Sequence, residues 1–349
     1  MPRPRVSLIF TVRNEEEALP ALLTSLEKQI RPPDEIVIAD GGSSDGTVPL
    51  LRAFAADQQR SVIPAQSLPR TRYGVSTRYG AGIQPRVVLL ELPEANIAEG
   101  RNAAIGTATG DIIAVTDAGV SLPRYWLAEL VRPLEDRPEV DMVSGYSRPD
   151  PHTRFEELLA AATLPLVSEV REASYLASSR SVAFRRELWE KAGGYPEWLD
   201  YCEDVVFDLE CKKVGARVVF QPAASVRFRP RPHLWAFFLQ YYRYARGDGK
   251  ANLWPERHVL RYTAYTLGTV LLWRGKQNPL WWVMLSLAAV AASRKPLLRV
   301  LTEPAPRDKK SLIASLSSIL FIRVVGDIAK MLGYPVGVWW RLCRRQRNQ

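Results

Sequence analysis

The fold is decided by EIVIADGG at residues 35–42 and by DIIAVTDAG at residues 111–119. In each, a short apolar run ends on a single carboxylate, Asp40 or Asp117, close to glycine. Continuous apolar runs of this length are typical of strands that are buried on both faces of a parallel sheet. Because ligands of open α/β sheets bind at the carboxyl ends of the strands, we expect both carboxylates to line one crevice. Ribose hydroxyls, a base edge or a divalent cation would suit them, which indicates an enzyme that uses a nucleotide.

Strand and helix signals alternate on both sides of these two runs. Residues 6–11 predict a first strand, and residues 15–29 predict a helix whose leucines share one face. Residues 35–39 predict the second strand and residues 44–56 the helix after it. Further strands are predicted at 87–92, 112–116, 140–144, 181–184 and 217–220, and further helices at 95–109, 126–134, 155–175, 203–214 and 234–246. This order predicts an α/β fold with right-handed crossovers and a mostly parallel sheet.

Length and composition narrow the class of protein. The 349 residues can bury one large core or two modest ones. The three cysteines have irregular spacing, which indicates reduced thiols rather than a disulfide framework or a zinc site. The apolar stretch at 6–12 is too short and too polar for a targeting segment and fits the first strand better. Residues 58–86 lack periodicity and predict a long loop whose role the sequence leaves open.

The net charge of +10 is concentrated at the end of the chain. Residues 291–349 hold twelve Lys and Arg residues against three Asp and Glu residues, and the rest of the chain is nearly neutral. A basic body would have indicated nucleic acid as the partner. A neutral body with a basic tail beside apolar segments instead indicates an anionic membrane surface, and no nucleic acid.

Two apolar segments near that tail, residues 262–273 and 277–293, predict a hydrophobic hairpin. Both are shorter than the ~20 residues of a standard membrane span, so a soluble helical subdomain is the alternative. Cations cluster after the second segment, which by the positive-inside rule favours attachment to the cell membrane with the main body on the cytoplasmic face. Residues 311–340 contain three charged residues within an apolar pattern, which favours an interfacial helix over a third span.

Four segments resemble, in order and spacing, the successive motifs of family 2 glycosyltransferases. They are VSLIFTVRNEE, EIVIADGGSSDGT, EGRNAAIGTATGDIIAVTDAG and YCEDVVFDLECKKVGARVVFQP, and the resemblance extends over about residues 5–230. It implies the GT-A nucleotide-diphospho-sugar transferase fold, which is α/β and Rossmann-like. It also implies a nucleotide-sugar donor and inversion at the anomeric carbon.

The resemblance and the apolar pattern together predict three parts of the chain. Residues 1–230 would form the GT-A catalytic domain, with a donor-binding half at 1–120 and an acceptor-binding half at 121–230. An amphipathic aromatic linker helix would follow at 231–258. C-terminal membrane-associated helices, namely the hydrophobic hairpin and the interfacial basic helix, would occupy 259–349.

The resemblance assigns the donor site to residues at and after the strand ends. The donor-binding residues are Thr11, Asn14, Glu15, Asp40, Asp45, Arg101 and Asp117. The Glu15 carboxylate can accept hydrogen bonds from a ribose or a base, although acidic residues also occur at helix starts for dipole reasons. Asp40 matches a base-contacting aspartate, and an acid followed by Gly41 and Gly42 has little structural reason to be there. Asp45 could equally cap a helix.

Arg101 and Asp117 are assigned to the donor diphosphate. The resemblance implies that the Arg101 guanidinium neutralises phosphate charge, and the alternative is a surface arginine paired with Glu99. Asp117 matches the first aspartate of an Asp-X-Asp motif, which holds the ribose and a Mg²⁺ or Mn²⁺ ion. Gly119 stands in place of the second aspartate. Because one carboxylate with phosphates and waters can still hold a hard cation, we expect a weakened metal site at Asp117.

Glu203 and Asp204 match the catalytic acidic pair of the family. Inverting displacement of a nucleoside diphosphate needs one base to deprotonate the acceptor hydroxyl. The resemblance gives that role to Asp204, with Glu203 in support. The alternative is an acidic first turn of a helix, with Asp208 as a further member.

Gln240, Arg243 and Tyr244 in QYYRY are similar to the Gln-X-X-Arg-Trp signature of processive members, with Tyr in place of Trp. They predict contact with the acceptor or the diphosphate, and an ordinary amphipathic helix is the alternative. Processive members usually have more membrane spans than this chain could supply, which favours the addition of a single sugar.

These patterns predict a membrane-associated inverting glycosyltransferase of cell-envelope glycan or glycolipid synthesis. The acceptor would be lipid-linked, or a polysaccharide close to the membrane. The alternative from another class is a non-catalytic protein that binds a nucleotide sugar or scaffolds a membrane complex, and Gly119 is its best support. A nucleotidyltransferase is disfavoured because no Gly-rich loop with lysine follows the first strand. The sugar, the base and the acceptor stay open.

Overall fold

The computed structural model describes residues 3–58, 85–172, 175–302 and 309–347. Nearly all of the predicted loop at 58–86 therefore lies outside the described residues. The chain divides into two compact units, Met1–Arg148 with Val167–Phe228 and Pro149–Leu166 with Arg229–Gln349. Within the first unit, the boundary between a donor-binding and an acceptor-binding half stays a prediction.

The first unit is built on a mixed eight-stranded sheet. Its strands are β1 (Val6–Val12), β2 (Glu35–Asp40), β3 (Arg86–Glu91), β4 (Ile112–Asp117), β5 (Val120–Ser121), β6 (Met142–Pro149), β7 (Val182–Arg185) and β8 (Val218–Phe228). Their order across the sheet is β3-β2-β1-β4-β7-β6-β8-β5. The α/β fold class predicted from the sequence is confirmed.

One half of this sheet is parallel, as the apolar runs predict. Strands β3, β2, β1 and β4 pair in parallel, and every residue of β2 is buried. Strand β4 then pairs antiparallel with β7, and the pairs β6–β7 and β5–β8 are also antiparallel. In the register of the parallel half, Thr11 lies opposite Asp117 and Val12 lies opposite Asp40. Both strand-ending carboxylates therefore lie at the same edge of the sheet, on either side of β1.

The helices follow the predicted alternation in the first unit and continue through the second. In chain order they are α1 (Leu19–Glu27), α2 (Thr47–Gln58), α3 (Ile97–Thr107), α4 (Trp126–Asp136), α5 (Arg154–Thr163), α6 (Arg186–Ala192), α7 (Glu203–Lys213), α8 (Leu234–Ala251), α9 (Pro255–Arg274), α10 (Leu280–Ala292), α11 (Arg294–Thr302) and α12 (Lys309–Arg347). Apolar side chains fill both faces of the sheet. Leu8 and Phe10 of β1 belong to one core cluster and Ile9 to the other, because successive strand residues point to opposite faces.

The predicted helix at 155–175 is wrong at residues 164–172 and at Tyr175, which the structure describes as non-α-helical. Helix α5 ends at Thr163, and Leu164 is extended, with φ −106° and ψ 132°. Leu164 precedes Pro165, and the residue before a proline is sterically driven out of the helical region. The chain continues as a short 3₁₀ turn at Val167–Glu169.

The second unit is helical and depends on small residues for its closest contacts. A methyl group at Gly333 would collide with the backbone of Tyr242, and one at Gly337 would collide with the backbone of Arg246. Helices α8 and α12 therefore approach each other at backbone distance. Beside them, a third apolar cluster joins α5, α8, α11 and α12.

The candidate membrane span is not where the sequence predicts it. Helices α9 and α10 form the expected hairpin, but in the described part of the chain a single helix, Leu312–Arg344, is long and apolar enough to cross a membrane. The interfacial assignment of 311–340 rested on its charges. Asp327 accepts a hydrogen bond from Arg261 at 2.8 Å and lies 3.8 Å from Lys330, so these charges neutralise one another. That pairing accounts for two of the three charges of the segment, and Arg323 is the third.

Candidate active site

Asp40 organises the loop that follows its own strand. One carboxylate oxygen accepts hydrogen bonds from the backbone N–H groups of Gly42 and Ser43, both at 3.0 Å. The other accepts from the Ser43 hydroxyl at 2.5 Å. Gly42 is left-handed at φ 85°, a conformation that favours glycine. The expectation that an acid here has little structural reason is therefore wrong, because the turn itself needs the carboxylate.

The loop after β1 is tied to the loop after β2 by short hydrogen bonds. Asn14 is left-handed at φ 56°, and its side-chain oxygen accepts from the Ser44 N–H at 2.8 Å. Glu15 begins the turn before α1, and its N–H donates to the Thr47 hydroxyl at 2.9 Å. These contacts bring Asn14, Glu15 and the Asp40 turn together at the edge where the parallel strands end.

Asp45 caps helix α2, which is the alternative role that the sequence allows. Its carboxylate accepts from the Thr47 N–H at 3.0 Å and from the Glu16 N–H at 3.3 Å. Bonding to Thr47 lowers the pKa of Asp45, so the cap stays ionised. Thr11, the remaining donor-binding candidate, lies on β1. Its methyl group lies close to Gly100 of α3.

Arg101 lies at the centre of a buried charge network. Its side chain is only 2% exposed, and it donates to Glu203 at 2.5 Å and to Asp117 at 2.9 Å. The pairing with Glu99 that the sequence allows is wrong, because Glu99 closes a capping box with Asn96 at the start of α3. Burial alone would lower the pKa of Arg101, but the two carboxylates outweigh burial and raise it. Arg101 is therefore a permanent cation that joins a strand end to the start of α7.

The loop that contains Tyr195, before α7, packs against this network. Arg101 lies over the ring of Tyr195 at 5.3 Å from its centroid, and Tyr195 stacks on Phe207 at 4.3 Å. Asn102, next to Arg101 on α3, accepts from the Tyr195 N–H at 2.9 Å and donates to its carbonyl at 2.8 Å. Arg101 and Asn102, which are adjacent on α3, thus bind the carboxylates and the Tyr195 loop respectively.

Glu203 and Asp204 have different environments although they are adjacent. Burial raises the pKa of Glu203, the Arg101 charge opposes that rise, and the neighbouring Asp204 charge adds to it. Asp204 is partly exposed, and within the described residues its side chain accepts one hydrogen bond, from the Val205 N–H at 2.9 Å. Of the two carboxylates, Asp204 is therefore the more accessible to a bound molecule.

Cys202 holds the chain in a strained conformation immediately before this pair. It is left-handed at φ 66° and ψ 17°, although it carries a side chain. Such residues cost about 1–3 kcal/mol and persist where the surrounding structure imposes them, often at functional sites. The sequence contains no sign of this strain.

Arg180 and Asp208 also lie beside these residues. No motif marks Arg180, and the sequence indicates Asp208 only as a further member of an acidic first turn. The Arg180 guanidinium lies 3.8 Å from the second carboxylate oxygen of Asp117 and over the Phe228 ring. Asp208 is one helical turn after Asp204, and burial raises its pKa well above the usual range. One of its carboxylate oxygens is buried with no hydrogen-bond partner among the described residues.

Gln240, Arg243 and Tyr244 lie on α8 in the second unit. Gln240 donates to the Tyr244 hydroxyl at 2.8 Å, which is one turn along the helix. Their assignment to the acceptor or the diphosphate stays a prediction.

The residues present fit a cation held through one protein carboxylate. Among the described residues, no group of three or more His, Cys, Asp or Glu side chains is arranged to hold a metal. Asp117 is 30% exposed, one of its oxygens is bonded to Arg101, and the other lies 3.8 Å from Arg180, which is beyond hydrogen-bond distance. A methyl group at Gly119 would meet no atom within 4 Å, so the place of a second carboxylate is open space. The remaining ligands would be phosphate oxygens and waters.

Comparison with known proteins adds independent information. The model of Glycosyl transferase family 2 matches residues 7–180, and that of Glycosyl transferase family group 2 matches residues 112–325. The Succinoglycan biosynthesis protein ExoA of Rhizobium meliloti (strain 1021) is 25% identical over 70% of this chain and 68% of its own length. An Undecaprenyl-phosphate 4-deoxy-4-formamido-L-arabinose transferase of Serratia proteamaculans (strain 568) is 32% identical, over 39% of this chain and 35% of its own.

A solved structure has the same fold. The Mannosyltransferase PcManGT from Pyrobaculum calidifontis, in complex with GDP-Man and Mn²⁺, aligns over 97% of this chain and 87% of its own. The TM-score is 0.52 at 21% sequence identity. The predicted GT-A fold is confirmed by this likeness.

Proposed function

This chain belongs to glycosyl transferase family 2 and is a glycosyltransferase, and from that premise we propose a specific reaction. The enzyme moves one sugar, with inversion, from a nucleotide-diphosphate sugar to a lipid-linked or membrane-proximal acceptor in cell-envelope glycan or glycolipid synthesis. The observation that carries the proposal is the Arg101 network, which links Asp117 to the Glu203–Asp204 pair. The name of the undecaprenyl-phosphate relative supports a lipid-linked acceptor, and the name of the succinoglycan relative supports glycan synthesis.

The nucleoside part of the donor would bind at the two tied loops. Thr11, Asn14, Glu15, Asp40 and Asp45 lie on β1 and in the loops after β1 and β2. Because the Asp40 carboxylate already accepts three hydrogen bonds, its main effect is to aim the backbone of that loop. Asp40 therefore acts on the donor chiefly through the shape of the turn.

The diphosphate would bind beside Asp117. Arg101 is already neutralised by two carboxylates, so it positions Asp117 and Glu203 more than it attracts the phosphates. Arg180 lies farther from Asp117, at 3.8 Å, and is 28% exposed, so its guanidinium is better placed to contact a phosphate oxygen. A divalent cation held by Asp117 and the diphosphate would neutralise charge on the leaving group.

Asp204 would act as the general base. The acceptor hydroxyl oxygen attacks the anomeric carbon, its proton passes to the Asp204 carboxylate, and the nucleoside diphosphate leaves with the electrons of the broken C–O bond. Glu203 is bonded to Arg101 at 2.5 Å and keeps that cation in place. Attack from the face opposite the leaving group inverts the sugar.

Membrane attachment is part of the proposal. The candidate span Leu312–Arg344 and the basic end of the chain support attachment to an anionic membrane surface. We place the catalytic unit on the cytoplasmic face, because six cations at 294–310 precede the candidate span and two at 345–347 follow it, which by the positive-inside rule puts the preceding part of the chain inside.

The test measures nucleoside diphosphate release by the purified full-length protein with Mn²⁺ and a panel of nucleotide sugars. Asp204→Asn should lower release by about 10²–10⁴-fold, because general base catalysis contributes that much, while donor binding is kept. The matched control is Glu210→Gln, which removes another carboxylate of α7, paired with Lys213 away from the network.

Undiminished release by Asp204→Asn would overturn the base assignment. Donor binding without release by the wild-type protein, across a broad acceptor panel, would instead favour the non-catalytic alternative that Gly119 supports.

A further inference from the structure

The second unit contains a cavity of about 340 Å³ that none of the residues assigned above lines. Its walls are the end of α5, the junction of α10 with α11, and α12. Four lining residues are cations, namely Arg294, Lys295, Arg299 and Arg323, and none of the described lining residues is acidic. A cavity of this size fits a small ligand or a headgroup, and its charge selects an anion.

One of the four cations has a fixed structural position. Arg299 donates to the Ala161 carbonyl at 2.9 Å, which holds α11 against the last turn of α5. A guanidinium held in place at the wall favours a negatively charged occupant.

The other three cations have no ion-pair partner among the described residues. Neither Arg294, Lys295 nor Arg323 lies within 4.0 Å of a described carboxylate oxygen. Arg323 is also part of the candidate span, where an uncompensated cation is costly and is usually retained for a function. The cavity thus concentrates positive charge that the described protein leaves uncompensated.

An exposed apolar stripe on α10 leads into the cavity. Leu280, Val283, Leu287 and Val290 are each at least 50% exposed, and their spacing of three and four residues puts them on one face of the helix. The next residues, Ala291 and Ala292, line the cavity. A charged recess at the end of an exposed apolar stripe matches an amphiphile with an anionic head and a hydrocarbon chain.

We propose that this cavity binds the phosphate headgroup of a membrane lipid whose hydrocarbon chain lies along the exposed stripe of α10. Arginine forks match phosphate oxygens in two-point contacts, and a group of several cations suits a phosphate monoester, which carries more than one negative charge. The stripe favours a lipid over free phosphate, because a soluble ion would leave that apolar surface in water. This binding does not depend on the transfer reaction and can be tested without it.

The experiment titrates detergent-solubilised full-length protein with short-chain phosphatidic acid, which exposes a phosphate monoester and offers no bulk charged surface. The variant is Arg294→Gln with Lys295→Gln, both exposed, and the matched control is Arg274→Gln with Lys276→Gln. The control removes the same charge from exposed positions at the end of α9 that do not line the cavity. Inorganic phosphate and phosphatidylglycerol of the same chain length are titrated in parallel.

Saturable binding of phosphatidic acid should weaken by about tenfold or more in the Arg294 and Lys295 variant and by less than about twofold in the control. Inorganic phosphate and phosphatidylglycerol should bind the wild-type protein more weakly. Equal losses in both variants would attribute binding to diffuse charge and overturn the proposal. Inorganic phosphate binding as tightly as the lipid would also overturn it, as would the absence of saturable binding. Nucleoside diphosphate release reports separately on the transfer reaction.

Discussion

The two strand-ending carboxylates look alike in the sequence and differ in the structure. The carboxylate oxygens of Asp40 accept hydrogen bonds from N–H and hydroxyl groups of residues two and three positions further along the chain. Asp117 is held by Arg101, which is 16 positions away, and Arg101 is held in turn by Glu203, 102 positions from it. One carboxylate shapes a turn, and the other joins distant elements into a charge network. Similar local sequence therefore serves a local turn at one strand end and a long-range charge network at the other.

The largest expected effect comes from removing the centre of the network. Arg101→Gln leaves Glu203 buried without its cation, and breaking such a buried pair costs about 3–5 kcal/mol of unfolding free energy. Chemical denaturation measures the loss, and nucleoside diphosphate release should fall with it. The control is Arg52→Gln, which breaks an exposed pair with Glu91 and should cost about 0–1 kcal/mol. A similar small cost for both variants would contradict a structural network at Arg101.

The next prediction contrasts the two strand ends directly. Asp40→Ala removes the hydrogen bonds of its turn and should cost about 1–3 kcal/mol of unfolding free energy, with the donor KM raised more than kcat is lowered. Asp117→Asn should lower kcat by about 10²-fold, because it removes the carboxylate that would hold the cation which neutralises charge on the leaving diphosphate. Steady-state kinetics together with denaturation separates the two. If Asp40→Ala lowers kcat as much as Asp117→Asn does, the contrast fails.

A third prediction adds the carboxylate that the motif lacks. Gly119→Asp fits open space and supplies a second oxygen ligand near Asp117, so half-maximal activity should need about tenfold less Mn²⁺. Gly119→Asn has the same shape without the charge and should change the Mn²⁺ requirement much less. An unchanged Mn²⁺ titration in Gly119→Asp would show that the cation is not held at this strand end.

The smallest effect concerns the buried acid beside the network. Because the pKa of Asp208 is raised in the folded protein, the folded state holds its proton more tightly than the unfolded chain does. That contribution to stability is present below the ordinary Asp pKa of about 4 and is lost as the pH rises toward the raised value. Asp208→Asn should therefore flatten the fall of stability above pH ~4, as measured by denaturation across pH. Glu210→Gln is the control, and an equal flattening there would contradict the assignment.

Much of the fold can be predicted from the sequence because it depends on interactions between residues close together in the chain. The apolar runs that end at Asp40 and Asp117 predict buried parallel strands, since burial on both faces requires continuous apolar sequence. The helix predicted at 155–175 fails at Leu164 for an equally local reason, namely Pro165. The interfacial assignment of residues 311–340 failed because it counted Asp327 as an unpaired charge. In the structure Asp327 pairs with Arg261 of α9 and with Lys330 one turn along α12.

The site residues that the sequence did not predict depend on contacts between residues far apart in the chain. Arg180 reaches Asp117 from the segment before β7, and Asp208 is buried by packing that no motif encodes. The left-handed conformation of Cys202 is likewise not marked by any residue type that favours it. Arg101 pairs with Glu203 instead of Glu99 because its side of α3 is buried. The sequence alone does not show which side of that helix is buried.

The most direct test of the central claim is a double-mutant cycle between the two carboxylates that Arg101 joins. The values of kcat/KM are measured for the wild-type protein, Asp117→Asn, Glu203→Gln and the double variant with one donor. If one arginine couples both carboxylates, the two effects should be non-additive by about 0.5–3 kcal/mol, the range found for residues of one ion-pair network. Additive effects within about 0.3–0.5 kcal/mol would mean independent sites and would contradict the account.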